Sequence, residues 1–486
     1  MSAPHDMLNA IANIGPRLKA AAMAFRSYDG AGGGRRWRGA GEMPLQLAAM
    51  TQARGPIGRR ARYLVGNNPL AASAVNGWIA NAVGTGIKPQ SAHPDPAIRS
   101  ALNAAFERWS DMADADGLHD HYGQQALALR RVVVDGDVFG AMSLDGATGN
   151  PLRVRMLDAE QIDPTLSRDL GGGAQIVSGV EFDASGRRVG YHAFRDRPGQ
   201  NFVGATSFAT VRLPAENTMH VFDAVTPGQA RGLSWFAPVL LRLHDYDGAT
   251  DAQLMRQKTA ALFTGFVVDP NGQPGPFAPG EPSGDGSAID AGLEPGTMKI
   301  LSAGQDVRFS DPAAIGAEAI DYLKITAREI AAGLGIPAEI MTGDLSGVNF
   351  SSIRAGIIEF RRKVEAVQYN ILVFRFCKPI WERFVLTAVL SGEIDGRGFA
   401  KNPQAFMAVK WITPRREWVD PLKDSRAEIE AINAGTMSRR EAVASRGWDI
   451  EQLDAEIAAD HERAKRLGLQ FGLPPSPIDP DQEVAQ

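Results

Sequence analysis

The sequence predicts an α+β protein. Helical periodicity dominates both ends of the chain, strands separated by glycine-containing turns occupy residues 124 to 223, and an apolar seam from Ile353 to Phe374 keeps a strict four-three spacing. With 486 residues, 44% of them hydrophobic, the chain can build two or three compact modules or one elongated multi-part subunit.

Taken in order, residues 29 to 34 (DGAGGG) form a flexible link, and seven arginines follow between Arg35 and Arg62. Gly55 and Pro56 split that cluster, so solvated helix faces and a subunit contact are favoured over a nucleic-acid patch. A helix is expected from Pro69 to Val83, with Val75, Trp78, Ile79 and Val83 on one side and Gly84 and Gly86 closing it. A second runs from Ala97 to Met112 with Ile98, Leu102, Phe106 and Trp109 as its packing stripe. The segments VVVDGDVFGAMSL, LRVRML, SGVEFD, RRVGYHAF and MHVFD then read as strands joined by tight turns.

Helix returns from Trp235 or Pro238 to about Leu262, followed by a short strand, FTGFVVD. The Gly, Pro and Ser content of residues 270 to 287 predicts an exposed loop, and TMKIL and DVRFS make a second strand pair. From Pro312 to Gly333 a helix carries Ile315, Ala319, Leu323, Ala327 and Ile330 on one stripe. At roughly 1.5 Å per residue it spans on the order of 30 Å.

The stretch Gly343 to Ile357, GDLSGVNFSSIRAGI, reads as a loop feeding a long helix. Gly343, Ser346 and Gly347 loosen the backbone, and Asn349 or Ser351 can cap the first free amides. Beyond it Ile353, Ile357, Phe360, Val364, Val367, Ile371 and Phe374 form the narrow seam, which Pro379 is expected to kink or break. Short capped helices follow. Asp420 precedes Pro421, Ser438 pairs with Glu441 as a capping box, and Asp449 sits similarly before Gln452. The tail after Gly472 is expected to be disordered.

A net charge of −5 and a pI near 6.0 argue against tight sequence-independent nucleic-acid binding, which rests on neutralising phosphates with Lys and Arg; transient contact stays compatible. The one cysteine, Cys377, leaves no partner for a disulfide and no thiolate set for zinc, and fits assembly in a reducing cytoplasm. No run of 18 apolar residues occurs and the N-terminus lacks a signal-peptide pattern, so a soluble chain is expected.

No GxxxxGKS/T, complete GxGxxG, GxSxG or HExxH pattern is present, which removes the common nucleotide and hydrolase signatures. His119-Asp120-His121 and His244-Asp245 with Asp247 contain metal-ligand types without a companion cluster, and surface or structural roles are favoured. Asp135-Gly136-Asp137 reads as a tight turn before it reads as a cation site. In the segment Gln229 to Trp235, Arg231 and Trp235 are residue types enriched at interface hot spots, so a subunit contact is expected.

Four segments together resemble the portal proteins of lambda-type tailed bacteriophages and prophages: PGQARGLSWFAPVL (227 to 240, with Lys258 beyond it), LEPGTMKILSAGQDVRF (293 to 309), EIAAGLGIPAEIMTGDLSGVNFSSIRAG (329 to 356) and WITPRREWVDPLKDSRAEIEAINAGTMSRREAVASRGWDIEQL (411 to 453). Their order and spacing agree along nearly the whole chain. Phe350 stands where the family commonly has tyrosine, and Ala338 follows Pro337 where an aromatic is usual, so a hydroxyl contact at those places would be missing.

The resemblance implies a non-enzymatic elongated portal subunit without cofactor or metal. Its parts would be an N-terminal arm and mixed α/β wing (1–234), stem helices (235–262 and 312–333), a small α/β clip (264–311), a channel loop (336–350), a long kinked helix with the wing return (351–410), a helical crown (411–470) and a disordered tail (471–486). It implies a ring of such subunits, usually twelve, assembled in the bacterial host cytoplasm and placed at one capsid vertex of the virion. Double-stranded DNA would pass through it during packaging and ejection. The implied partners are a large terminase, head-completion or adaptor proteins and the major capsid or scaffold protein, with no membrane. On that template Leu345, Ser346, Gly347, Val348, Asn349 and Phe350 would face the duplex, and Lys324 and Arg328 would offer sparse positive charge along the stem. The alternatives are a metal-dependent DNA-processing enzyme using Asp135, Asp137 and Asp158, and the portal of a gene-transfer particle or defective prophage.

Overall fold

A computed structural model describes residues 43, 45–145, 149–198, 209–262, 266–268, 306–308, 317–347, 350–415 and 421–469. The chain divides into two units, residues 1–52 and 53–486. The described part of the first is the opening of helix α1 (Gln46–Asn67), where the Thr51 hydroxyl donates to the Leu47 carbonyl at 2.8 Å. Of the seven arginines, Arg35, Arg36 and Arg38 lie outside the described residues. Gly55 and Pro56 do not interrupt the others, because α1 runs through both.

Helix α2 (Pro69–Ala82) starts where Asn68 Oδ1 accepts the Ala71 amide at 2.9 Å, with proline in the first turn where its missing N–H costs nothing. Strand β1 (Lys88–Ser91) follows, then α3 (Pro96–Ser110), capped in the same way by Asp95. Val75, Trp78, Leu102, Phe106 and Trp109 are all buried in the main core, as their spacing predicts.

The run VVV, expected in a strand, instead closes helix α4 (His121–Asp135). Val132, Val133 and Val134 are buried together at its last turn, and tertiary burial outweighs the β preference of branched side chains. Gly136, with φ 97°, ends the helix in a conformation that glycine adopts without strain, and strand β2 (Asp137–Leu144) begins at once. The strand-rich region therefore opens at 137 rather than 124.

Two antiparallel sheets follow. Strand β2 is flanked by β3 (Leu152–Leu157) and β9 (Thr218–Phe222), while β4 (Arg168–Gly171), β5 (Ala174–Val177), β6 (Val180–Phe182), β7 (Arg188–Phe194) and β8 (Thr210–Pro214) form a five-stranded meander. Phe139, Leu157, Ile162, Val180 and Tyr191 make a small second core that joins them.

Helices α5 (Leu240–Leu262) and α6 (Ala317–Gly333) bracket an antiparallel pair, β10 (Phe266–Val268) and β11 (Asp306–Arg308). The rest of the expected clip, the TMKIL strand, and Pro312 and Ile315 lie outside the described residues. Next come α7 (Ala338–Thr342), α8 (Phe350–Val367), a π-helical segment (Gln368–Cys377) and α9 (Lys378–Leu390). Helix α10 (Pro403–Met407) leads to β12 (Val409–Ile412), which pairs with β1. The chain ends in α11 (Pro421–Asn433), α12 (Arg439–Ser445) and α13 (Ile450–Leu467). Ser438 caps α12 through the Glu441 amide, as expected, whereas Asp449 caps α13 through Glu451 rather than Gln452. Asp420 and the expected tail lie outside the described residues.

The long helix departs from its expected form at two places. It does not break at Pro379, because the preceding ten residues widen to π winding, and Lys378 N–H reaches back five residues to the Val373 carbonyl. Widening also turns the helix, so the four-three seam does not persist. Phe360, Val364 and Ile371 are buried, but Phe374 is 62% exposed and the buried face resumes at Val373, Phe376, Ile380 and Phe384. The π turns thus join two apolar stripes whose α-helical phases differ.

Charge inside the subunit is concentrated around the two aspartates of the helix-to-strand turn. Asp137, fully buried, receives Arg231 Nε at 2.6 Å, Arg54 Nη2 at 2.7 Å and the amide of Gly232 at 3.1 Å, with His220 Nε2 also at 3.1 Å. Asp135 pairs with Arg62 and, at 3.0 Å, with Arg131, whose other nitrogen holds Asp158 at 2.6 Å. Burial alone would raise the Asp137 carboxyl, yet Arg231, Arg54 and His220 hold it well below the usual range. For Asp135 burial prevails over its arginines and the carboxyl moves up. Arg231, expected at a subunit contact, is only 5% exposed and is spent on Asp137 and the carbonyls of Ala159 and Ser178 inside its own chain.

Two predictions follow from these buried groups. Asp137→Asn leaves Arg54 and Arg231 with buried charge and no carboxylate, so urea unfolding should show a loss of about 3–5 kcal/mol. Burial pushes both His220 and His121 down to about 3, whereas the unfolded chain protonates them below about 6.5. Between those values the unfolded state binds more protons. Stability contributed by neutral burial is full above about 6.5 and is lost as pH falls toward 3, by about 1.4 kcal/mol per pH unit for each histidine. The urea midpoint should therefore drop between pH 6.5 and 5, with a shallower slope in His121→Gln; a flat profile would contradict the assignment.

Candidate functional site

The loop at the head of α8 is positioned by α2. The Trp78 indole N–H donates to the Leu334 carbonyl at 3.0 Å, just past the end of α6. The Trp78 ring meets Trp235 edge-on at 5.0 Å and Phe360 of α8 at 5.1 Å. Gly77, on the same helix, allows close approach of the α7 region, since a Cβ there would lie 2.7 Å from Ile336 Cδ1. Asn68 Nδ2 donates to Asp247 at 2.8 Å and so ties the start of α2 to α5.

This packing shortens the expected channel loop of 336–350. Ile336 and Met341 are buried and residues 338–342 are helical, so the loop proper begins at Gly343, whose φ of 71° and N–H bond to the Glu339 carbonyl close α7. Its described part is Gly343 to Gly347. Val348 and Asn349 lie outside the described residues, and Phe350 is placed only as the first backbone position of α8.

Inside the loop, Asp344 Oδ1 accepts both the Ser346 amide at 2.9 Å and the Ser346 hydroxyl at 2.6 Å. Leu345, between them, is 59% exposed. The sequence-predicted Lys324 and Arg328 lie one turn apart on α6 and are exposed. The structure brings Asp344, Ser346, Lys324 and Arg328 together. An open groove of about 400 Å³ is lined by Tyr246 and Gln253 of α5, Lys324 and Arg328 of α6, Glu339 of α7, and Asp344, Ser346 and Gly347 of the loop. The Ser346 hydrogen bonds hold the Asp344 carboxyl below its ordinary value, and the charges of Lys324 and Arg328 add to the effect.

The groove can present two cations and two carboxylates to an extended ligand. Sequence reasoning found the tip and the cations but missed Asp344, although an aspartate two residues before a serine is a recognisable turn signal. Trp235 is half-buried and lines a second cavity with Trp78, Asp223 and Leu334, away from the loop's residues.

Of the other candidate ligand sets, His119, His244 and Asp245 are exposed, and the remaining members have structural roles. Asp120 caps α4 through the Gly123 amide, His121 is buried, and Asp247 accepts from Asn68. Asp135, Asp137 and Asp158, the carboxylates of the metal-enzyme alternative, are each engaged by guanidinium groups, which put positive charge where a cation would sit. Among the described residues no cluster of three or more metal-ligand side chains occurs, and no helix is long and apolar enough to cross a membrane.

Comparison with known proteins identifies the family. The family described as phage portal protein, lambda family, matches residues 34–368, a span that contains α6, the loop and α8. A probable portal protein of Halomonas phage phiHAP-1 is 25% identical over 78% of this chain and 73% of its own. The portal protein of Escherichia phage N15 is 24% identical over 94% of both chains. Among solved structures, a chain from the neck of a native gene transfer agent particle aligns over 89% of this chain and 97% of its own, with 14% identity and a TM-score of 0.45. On the extent of the family match, the chain belongs to the lambda family of phage portal proteins.

Proposed function

We propose that the chain is the subunit of a ring, usually of twelve copies, that stands at one capsid vertex of the virion and conducts double-stranded DNA during packaging and ejection. Its work is structural: it would be assembled in the bacterial host cytoplasm, and ATP hydrolysis and DNA cutting would belong to a separate large terminase. The clip (264–311) would dock that motor and later the head-completion or adaptor proteins, and the crown (411–470) would face the capsid interior and the major capsid or scaffold protein. Family membership and portal relatives that align over most of the chain support this reading.

The observation that carries the conduit role is the groove at the head of α8. It sets the tip of the exposed loop, at Asp344, Ser346 and Gly347, beside Lys324 and Arg328, on a base anchored by Trp78, Ile336 and Met341. Such a tip can touch a duplex without holding it, because the two cations share the groove with Glu339 and Asp344. Binding that neutralised many phosphates would arrest the strand that has to move. Phe350 and the residues between it and Gly347 would complete the contact. Trp235, beside its cavity, is the remaining candidate for a contact between subunits.

Electron microscopy of the purified chain should show closed rings with an axial hole; compact monomers at every concentration would count against the reading. Deleting Ser346 to Asn349 should leave rings intact and sharply lower the DNA retained in assembled particles, measured as nuclease-protected genome. Normal retention would remove the loop from the mechanism.

A further inference from the structure

We propose that Asp344 is a resident substitute for phosphate: its carboxylate shares the groove with Lys324 and Arg328 and limits how firmly those cations engage a DNA backbone. The inference rests on the conduit reading and assigns one residue the task of setting its grip. The groove holds two cationic side chains and two acidic ones, Glu339 and Asp344, so its formal charges cancel. The two acids differ in how they are mounted. Glu339 sits on α7, which is packed against α2, whereas Asp344 is carried by the exposed loop between Gly343 and Gly347. Both Ser346 bonds fall on Oδ1 of Asp344, and neither uses Oδ2. Among the described residues that oxygen has no hydrogen bond, and the carboxylate's charge acts on the groove's cations. The lowered carboxyl value, to which Lys324 and Arg328 contribute, accords with a charge that stays ionised there.

A phosphate arriving at Lys324 or Arg328 then meets cations whose field a neighbouring carboxylate already offsets. Binding at a partly neutralised cation releases less free energy than binding at an isolated one, so contact is made and broken without a deep well. Glutamine or asparagine at this position would remove the competing charge while keeping a hydrogen-bond acceptor for Ser346.

The test uses the purified full-length protein as Asp344→Asn, Lys324→Met/Arg328→Met, the triple variant, and Asp344→Glu as the conservative control. Each is imaged first to establish intact rings, and binding of a short linear duplex is measured from 50 to 200 mM salt. Asp344→Asn should bind several-fold more tightly at low salt, with a log–log salt slope steeper by about 0.9 for each extra phosphate engaged. The triple variant should lose that gain, and Asp344→Glu should stay near wild type. If Asp344→Asn matches wild type while the Lys324/Arg328 pair variant binds more weakly, the substitute role is overturned and the conduit contact stands. If neither variant changes binding, both the substitute role and the assignment of these cations to DNA fall.

Discussion

The hydrogen bond from the Trp78 indole to the Leu334 carbonyl is the contact on which the rest of the loop region depends. It fixes the turn after α6 to the middle of α2, and the same indole ring packs on Trp235 and on Phe360 of α8. One side chain thus touches the segment before α5, the end of α6 and the long helix. Burying an indole requires a partner for its N–H, and a helix-terminal carbonyl is an economical one, because such carbonyls lack intrahelical donors. Ile336 and Met341, buried just beyond that junction, extend the packed base toward the loop. The described loop residues, 343–347, are exposed and follow directly from that base.

The acidic and basic residues of the chain divide into two populations with different physics. Around Asp135 and Asp137, arginines from α1, α4 and the segment ahead of α5 are drawn inside, where a carboxylate and a guanidinium must satisfy each other or be costly. In the groove beside the loop, charges stay in solvent and are screened, so they adjust weak contact rather than hold the fold. Sequence composition averages the two. A mildly acidic total conceals both a fully compensated interior cluster and a balanced groove.

Much of the architecture is legible in the sequence because it is written in local rules. Apolar residues at helical spacing announced α2 and α3, runs bounded by tight turns announced β3, β7 and β9, and Ser438 announced the cap of α12. The VVV run misled because three branched residues look alike in a buried strand and in a helix end buried on several sides. Arg231 misled for a related reason: arginine beside tryptophan is common at interfaces, but its destination here is a carboxylate 94 positions earlier in the chain, which no local window contains. At the loop, the apolar tip and the stem cations were readable, whereas the hold of α2 on residues 336–342 depends on Gly77, whose importance lies in what it omits.

The π-wound segment between α8 and α9 carries a consequence for how the gene tolerates change. In an α-helix, gaining or losing one residue rotates everything beyond it by about 100°, and a buried stripe on the far side is thrown out of register. Here a ten-residue stretch already holds more residues per turn than α winding needs, and it ends at Cys377 just ahead of Pro379. A single deletion inside it can be absorbed by tightening the turns, with Phe360 and Phe384 both left facing the core. The long helix thus has a built-in tolerance for length variation at one address, far from the loop it carries, where the coding sequence can drift by a codon without moving what lies at either end.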